Sequence, residues 1–364
     1  MNTPLFACLT VLLVGCGGSL DVGSNQRGDS TPTPGSSTTP PAEAAPLNAP
    51  GQAEVVSCSK LPPGGFDTTT PEPARGLVSN GRDLFLSGGT DGVSTIVYRR
   101  TGDGVLSTLD KRNHPDSLWL RGADARWLAT VHQVYVPNEE SGSTEARDIE
   151  LIDLTGGAKQ NAPKPRPSDH VGDAIARQGA VYYSTLGPSD GLTTLSRFDG
   201  KAASVLVSNL PYRSSWTVSD DGDVYVVMVA KSDAELVRVT VAGTSTTLKT
   251  FPLAQRAVTP ALYGVSAGRV YFRPAMDDSW LVDSLKIDGS DERHELAAAA
   301  TIRNIQIGKA HLFFQDDSVG KVFRVAKGGG KTEVVVNDAG AVQFALDDCN
   351  LYWASGKRLV GRPQ

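Results

Sequence analysis

The side chains of this sequence that could do chemistry stand mostly just before short apolar segments. One adjacent pair, Asp169–His170, joins a carboxylate to an imidazole, and such a pair can move protons or hold a polar ligand. The candidate ligand or partner residues are Arg75, His114, Asp116, Asp169, His170, Arg213 and Arg303. No segment matches a nucleophile elbow, a His-Glu-x-x-His zinc motif or a phosphate loop. We therefore assign no catalytic residue and predict neither a metal nor a cofactor.

Two other segments have compositions that suggest ligands. Residues 219–223 ("SDDGD") offer the oxygen atoms that calcium prefers, but the twelve-residue calcium-loop pattern is absent. Residues 327–332 ("KGGGKT") resemble a phosphate loop without having its spacing. Both segments lie where a turn between two strands is expected. We interpret both as hairpin turns.

The start of the chain has the features of an export signal. Residues 5–15 are almost entirely apolar and too short to cross a bilayer, which is typical of a signal-peptide core. The following "LVGC" resembles the lipobox of bacterial lipoproteins, although the usual Lys or Arg before the apolar core is missing. That resemblance implies cleavage after residue 15, lipidation of Cys16 and attachment to a bacterial membrane. Gly17, the residue after Cys16, fits release of the lipoprotein to an outer membrane or the cell surface. The alternative to a lipoprotein signal is an ordinary secretory signal.

A linker and a folded domain follow the signal. Residues 16–53 are rich in Gly, Ser, Thr and Pro and contain no aromatic residue, so we predict a disordered tether spanning roughly 30–40 Å on average. Residues 54–364 form the domain. The net charge of −5 and the absence of a basic cluster argue against nucleic-acid binding.

The domain contains an internal repeat. Seven short strands with an aromatic residue recur at intervals of 39–55 residues, which is close to the four-strand period of a β-propeller. Each is preceded by one predicted strand and followed by another that often carries a basic residue. The aligned aromatic residues are Phe85, Trp127, Tyr182, Tyr225, Tyr271, Phe313 and Tyr352. We predict an all-β ring of seven four-stranded blades, with six as the alternative.

The last repeat ends before its fourth strand. We predict that residues 53–60 ("AEVVSCSK") supply that strand and close the ring, since their composition matches the fourth strand of the preceding repeat. Cys58 lies in this segment and Cys349 in the last repeat, while no two cysteines have metal-ligand spacing. A Cys58–Cys349 disulfide would fasten the seam and suits a secreted protein; two free thiols are the alternative.

The pattern resembles the β-propellers of secreted bacterial proteins with YWTD-like or NHL-like repeats. Such propellers serve mostly as binding platforms, and some are lyases or hydrolases. The resemblance therefore implies a binding or scaffolding module for a protein or glycan of the cell envelope, and we expect a monomer. The alternative is a propeller lyase or glycan hydrolase. We expect ligands at the channel mouth near the second and third blades, where residues 136–147 and 156–170 are predicted as insertions.

Overall fold

The structure, a computed structural model, describes residues 58, 60–89, 94–113, 116–135, 144–167, 169–187, 191–211, 214–230, 232–253, 260–274, 280–298, 302–316, 319–337 and 343–364. Every regular element in these ranges is a β-strand. None of the described ranges contains a helix that could cross a bilayer. The predicted signal, Cys16 and the tether lie outside the described residues.

The strands form seven antiparallel four-stranded sheets, which we call blades. Among the described residues the first strand is β1 (Phe66–Thr69), and six blades follow it in succession. Blade 1 contains β2 (Ala74–Ser79), β3 (Leu84–Gly88), β4 (Ser94–Arg100) and β5 (Leu106–Asn113). Blade 2 contains β6 (Asp116–Ala123), β7 (Trp127–Tyr135), β8 (Thr144–Asp153) and β9 (Lys159–Asn161). Blade 3 contains β10 (His170–Arg177), β11 (Ala180–Leu186), β12 (Leu192–Phe198) and β13 (Ala203–Pro211).

The remaining blades follow the same meander. Blade 4 contains β14 (Ser215–Val218), β15 (Val224–Val229), β16 (Asp233–Val239) and β17 (Ser245–Pro252). Blade 5 contains β18 (Ala261–Ser266), β19 (Arg269–Arg273), β20 (Trp280–Lys286) and β21 (Arg293–Ala298). Blade 6 contains β22 (Ile302–Ile307), β23 (His311–Asp316), β24 (Lys321–Ala326) and β25 (Glu333–Val336). Blade 7 contains β26 (Gln343–Leu346), β27 (Asn350–Ser355), β28 (Arg358–Pro363) and, at its outer edge, β1.

The apolar core lies between the blades rather than inside any one of them. Each of seven apolar clusters joins two neighbouring blades. Together they connect every blade to the next around the ring, including blade 7 to blade 1. The second strand of a blade is apolar on both faces because it is covered on both sides; all five residues of β3, for example, are buried. A single blade has no means of covering its own faces, so its stability depends on its neighbours in the ring.

The ring closes in blade 7, as expected, but the predicted closing strand was wrong. Cys58 and Lys60 lie outside any strand, and residues 53–57 and 59 lie outside the described residues. The closing strand is β1, which pairs with β28 from Phe66↔Gly361 to Thr69↔Arg358. Two prolines separate the two segments, and the Gly65 N–H donates to the Pro62 carbonyl in a turn that redirects the chain to the free edge of β28. Proline has no N–H for a ladder, so pairing begins only after this turn.

The predicted disulfide is present. Cys58 and Cys349 are bridged, with a Cα–Cα distance of 5.9 Å and a sequence separation of 291. Cys349 belongs to the turn between β26 and β27, directly before the last aromatic strand. The bridge therefore fastens the segment that precedes β1 to the inner part of blade 7.

Two predictions about blade 2 need correction. The Asp124 N–H donates to the Trp127 carbonyl, and the equivalent hydrogen bond in blade 1 runs from the Asn80 N–H to the Asp83 carbonyl. Trp127 therefore corresponds to Asp83. The predicted alignment of Trp127 with Phe85 is two residues out of register. Residues 156–170 are not simply an inserted loop, because they contain β9, the fourth strand of the blade. Most of the other predicted insertion, residues 136–143, lies outside the described residues.

Candidate functional site

The ring has two channel mouths. The first strand of each blade is innermost, since these strands contact one another around the channel. We call the end where the innermost strands begin the upper mouth, and the end where they turn into the second strands the lower mouth. The ends of all seven innermost strands line one cavity at the lower mouth, which shows that these strands run in the same direction.

The described members of the predicted site lie at the upper mouth. Each of them stands at or next to the start of an innermost strand: Arg75, Asp116, Asp169, His170 and Arg303. His114 and Arg213 lie outside the described residues. The backbone thus places these five positions on one end of the ring, in blades 1, 2, 3 and 6. No observation tests whether they bind a ligand, so that remains a prediction.

Two of these carboxylates already have partners. Asp169 is buried, and its carboxylate accepts a hydrogen bond from the Arg166 Nε at 2.8 Å and one from the Thr185 hydroxyl at 3.4 Å. Asp116 Oδ2 lies 3.4 Å from His132 Nε2 on the neighbouring strand. His170, by contrast, is exposed. Of the predicted Asp169–His170 pair, only the imidazole faces solvent, because the carboxylate stabilises the connection that leads into β10.

An ion pair between blades 2 and 3 was not predicted. Arg121 Nε lies 3.6 Å from Asp173 Oδ1, and both side chains are partly exposed. Each residue sits at a β-bulge in an innermost strand, β6 at Arg121 and β10 between Val171 and Ala174. Bulges redirect a side chain from the regular alternation. Gly122 allows the close approach, since a Cβ there would lie 3.2 Å from the Ala176 nitrogen.

Next to this ion pair, Trp119 presents a large apolar side chain to solvent. It lies on innermost strand β6 and is 47% exposed, while Leu118 beside it is buried against blade 1. Gly122 of β6 lies against Ala176 of β10, and the two strands run in the same direction, so Trp119 stands about level with Asp173, in the middle of β10. The sequence signal for the exposure of Trp119 is the alternation in "DSLWLRGA", which puts Leu118 and Leu120 on one face of the strand and Trp119 and Arg121 on the other.

The lower mouth holds a concavity. Its cavity has a volume of about 590 Å³, and its lining contains the carboxylates of Asp124, Asp220, Asp347 and Asp348 with one guanidinium, Arg177. Arg177 Nη2 lies 3.3 Å from Asp220 Oδ1. Among the described lining residues there is no histidine. The described residues hold no group of three His, Cys, Asp or Glu side chains suited to a metal ion.

Two of these carboxylates hold neighbouring blades together. Asp124 accepts hydrogen bonds from the backbone N–H groups of Arg126, Trp127 and Gly179, the last in blade 3. Burial nevertheless raises the pKa of Asp124 above its ordinary value, because desolvation outweighs these donors. Asp347 of blade 7 accepts a hydrogen bond from the Ser79 hydroxyl of blade 1 at 3.2 Å. These side chains maintain the geometry of the ring.

The two ligand-like segments are turns, as predicted. In residues 219–223, the Ser219 N–H donates to the Asp223 carbonyl, and Gly222 has a positive φ of 83°. Asp223 accepts a hydrogen bond from the Arg238 Nε at 2.8 Å. Residues 327–332 connect β24 to β25. The oxygen atoms and glycines therefore serve hairpin geometry.

Comparison with known proteins adds information on the fold. No protein-family model matches the chain, and no curated protein is similar to it in sequence. Solved structures are similar in fold. One is an oligogalacturonate lyase in complex with manganese, 11% identical with a TM-score of 0.53, covering 82% of this chain and 98% of that one. Another is the β-propeller domain of the Trilobed protease from Pyrococcus furiosus, 12% identical with a TM-score of 0.55, covering 79% and 97%.

The chain is a seven-bladed β-propeller. A third similar structure, the acylaminoacyl peptidase of Pyrococcus horikoshii, is 10% identical with a TM-score of 0.56; the match covers 81% of this chain and 53% of that one, so the propeller spans about half the peptidase's length. At such identities the likeness shows the fold alone. The Trilobed protease domain is described as having an open velcro topology. In this propeller β1 pairs with β28 and closes the last blade.

Proposed function

We propose that this protein is a binding module, tethered by a lipid to the outer face of a bacterial membrane, whose partner docks on the upper mouth between blades 2 and 3. The lipid anchor rests on the "LVGC" motif and Cys16, and the reach of the module on the Gly-, Ser-, Thr- and Pro-rich residues 16–53. We propose an outer-membrane or cell-surface location and a monomeric chain.

The observation that carries the proposal is the exposed Trp119 beside the Arg121–Asp173 ion pair. Tryptophan and arginine are the residues most enriched at the energetic centres of protein interfaces. Both stand on the rigid innermost strand β6, so little conformational entropy is lost when a partner orders them. His170 and Asp116 add polar groups at the same mouth. This composition favours a protein of the envelope as the partner, with an envelope glycan as the alternative outcome.

A propeller enzyme is the weaker hypothesis. The predicted acid–base pair would need its imidazole and its carboxylate to converge on one substrate. Asp169 is buried against Arg166 whereas His170 is exposed, and the described lining of the lower-mouth cavity includes no histidine. The similarity to the oligogalacturonate lyase and the two peptidase structures extends only to the fold.

Site-specific photo-crosslinking tests the docking surface. A photoreactive amino acid replaces Trp119 in one variant and Val241 in the control, because Val241 is 42% exposed on the turn between β16 and β17, on the lower-mouth side. We expect one envelope protein to be crosslinked from position 119 and not from 241. Binding of that protein should weaken at least tenfold with Trp119→Ala, as for an interface centre. Equal crosslinking from both positions would refute the surface.

A separate experiment tests the tether. Cys16→Ser should abolish labelling of the chain with a radioactive fatty acid and move the protein from the membrane fraction to the soluble one. Labelling that persists in this variant would refute the lipid anchor without affecting the docking surface.

A further inference from the structure

A small crevice at the seam is lined by three cationic residues. Its volume is about 50 Å³, and the three are Lys60, Arg82 and Arg100. Arg82 belongs to the turn between β2 and β3, and the turn after Arg100 leads from β4 to β5, so the crevice lies on the lower-mouth side. Lys60 comes from the segment that Cys58 fastens to blade 7. Blade 1 and the start of the domain therefore share the crevice.

None of these three cations has a carboxylate partner among the described residues. The Arg100 guanidinium lies 3.6 Å from the centroid of the Phe66 ring, and its Nη1 donates a hydrogen bond of only 3.5 Å to the Thr101 carbonyl. The carboxylate of Asp103 instead accepts hydrogen bonds from the Thr101 hydroxyl and the Val105 N–H. Arg99, the preceding residue, contrasts with Arg100 because it donates to Asp83 at 2.8 Å.

This arrangement leaves Arg100 without a close counter-ion. The charge of Asp103 acts on it from a distance, yet burial outweighs that effect and lowers the pKa of Arg100, which means that its charged form is poorly solvated. A partly buried ion without a close counter-ion is destabilising. An anion in the crevice would offset this effect.

The donors and the size favour a phosphate group. A guanidinium offers two parallel N–H donors that match two oxygens of a phosphate, and a lysine adds a point charge. A water molecule needs about 10–15 Å³ of such space, so about 50 Å³ holds a few oxygen-sized groups and is far too small for a sugar ring. Tyr352 and Thr101 also line the crevice, and their hydroxyl groups donate hydrogen bonds to Asp347 and Asp103.

We propose that this crevice binds the phosphate group of an oxyanion ligand, held by Lys60, Arg82 and Arg100. Two sources offer that chemistry, free phosphate and the headgroup of an anionic phospholipid. The headgroup as the source of the phosphate rests on the proposed membrane tether. Cys58, the first described residue, lies on the same side of the ring as the crevice.

The test uses charge-matched variants of the full chain carrying Cys16→Ser. One variant combines Lys60→Ser with Arg82→Ser, and the control combines Lys201→Ser with Lys331→Ser. All four side chains are exposed, and the control pair lies in turns on the same side of blades 3 and 6. Each variant loses two positive charges. Binding of inorganic phosphate is measured by titration calorimetry, and binding of vesicles of phosphatidylglycerol in phosphatidylcholine by co-sedimentation.

We expect the crevice variant to bind inorganic phosphate at least tenfold more weakly than the control. If lipid headgroups are the source of the phosphate, removal of the two charges in the crevice variant weakens vesicle binding roughly 30-fold, and inorganic phosphate competes with the vesicles. Weakening of phosphate binding alone assigns the site to free phosphate. Equal binding by the two variants in both assays overturns the inference. That result would leave the crosslinking from position 119 intact, so the two proposals fail separately.

Discussion

Blade 3 and blade 7 follow the same four-strand plan, but blade 3 comes from one continuous stretch of chain and blade 7 from both ends. The outer pair of blade 3, β12 and β13, is joined by a short turn and has six matched residue pairs. The outer pair of blade 7, β1 and β28, has four pairs and no connecting turn. A hairpin turn holds its two strands at high effective concentration, and the β1–β28 pair lacks such a turn.

Other contacts replace the missing turn in blade 7. The Cys58–Cys349 bridge fastens the chain before β1, and the Leu61 N–H donates to the Asn350 side chain at 3.3 Å. Leu61 and Phe66 also pack against the apolar cluster between blades 7 and 1. The difference shows that closure is local: the junctions between blades are alike, and among the described residues only blade 7, which joins both ends of the domain, carries a covalent link.

The largest expected effect concerns an ordinary junction, the one between blades 2 and 3. Trp127 is 1% exposed, and its indole N–H donates to the Gly179 carbonyl of blade 3 at 2.9 Å. Trp127→Ala removes this bond and leaves a cavity, so we expect the free energy of unfolding to fall by about 3–5 kcal/mol. Urea denaturation followed by circular dichroism measures it.

Trp119→Ala is the control within the same blade. Trp119 is 47% exposed, and its truncation should change the free energy of unfolding by less than about 1 kcal/mol. If the two tryptophan variants lost equal stability, the apolar junction would not be the main source of stability between blades 2 and 3.

The next effect concerns the seam. The disulfide closes a loop of 291 residues, for which the chain-entropy model gives roughly 5–6 kcal/mol as an upper value, and measured values are typically about 2–4 kcal/mol. We expect Cys58→Ser with Cys349→Ser to lower the free energy of unfolding by about 2–4 kcal/mol, because only the four-pair ladder and its noncovalent contacts then close the ring. The denaturation midpoint of the double variant is compared with that of the native chain whose disulfide is intact.

Reductant provides the control for the seam. A thiol reductant should lower the midpoint of the native chain toward that of the double variant and leave the double variant unchanged. If the double variant unfolded at the native midpoint, the β1–β28 ladder and its apolar contacts would be sufficient for closure.

Sequence patterns predicted the number of blades because every second strand must be apolar on both faces, whatever its neighbours are. The disulfide was predictable because only two cysteines lie outside the proposed leader and its lipidation site, Cys16. The closing strand was not, because residues 53–60 and β1 are both short and rich in β-branched residues, and only the intervening Pro-Pro-Gly-Gly turn decides which one reaches β28.

The candidate site was predicted less completely than the fold. Positions at strand starts, such as His170, follow from the repeat. The Arg121–Asp173 pair depends on bulges in two separate strands, and no local pattern in the sequence specifies a bulge. The burial of Asp169 depends likewise on Arg166 and Thr185.

A smaller effect on the free energy of unfolding is expected when a buried ion pair is compared with an exposed one. Arg99 of blade 1 donates to Asp83, whose side chain is 2% exposed, whereas Arg358 pairs at the seam with Asp67, which is 44% exposed. Arg99→Ala leaves a buried carboxylate without its cation, and we expect a loss of about 2–3 kcal/mol. Arg358→Ala should cost less than about 1 kcal/mol. Equal losses would show that the Asp67–Arg358 pair contributes to closure as much as a buried pair does.

The smallest expected effect is a pH dependence inside blade 5, away from the seam. His294 on β21 lies 2.8 Å through its Nδ1 from Asp283 on β20, and the hydrogen bond and charge of Asp283 raise the pKa of His294 above its ordinary value. Burial also raises the pKa of Asp283. A raised histidine pKa stabilises the folded state below the unfolded value of about 6.5, and this stabilisation is lost as the pH rises through the folded value.

His294→Gln should therefore lower the free energy of unfolding more at pH 5.5 than at pH 8.5. His294 is exposed, so the difference should be smaller than any of the effects above. Urea denaturation of both proteins at the two pH values measures it. His311→Gln serves as the control because His311 has no carboxylate partner among the described residues. A loss that is larger at pH 8.5, or the same at both pH values, would show that the charged imidazole does not stabilise the β20–β21 pair.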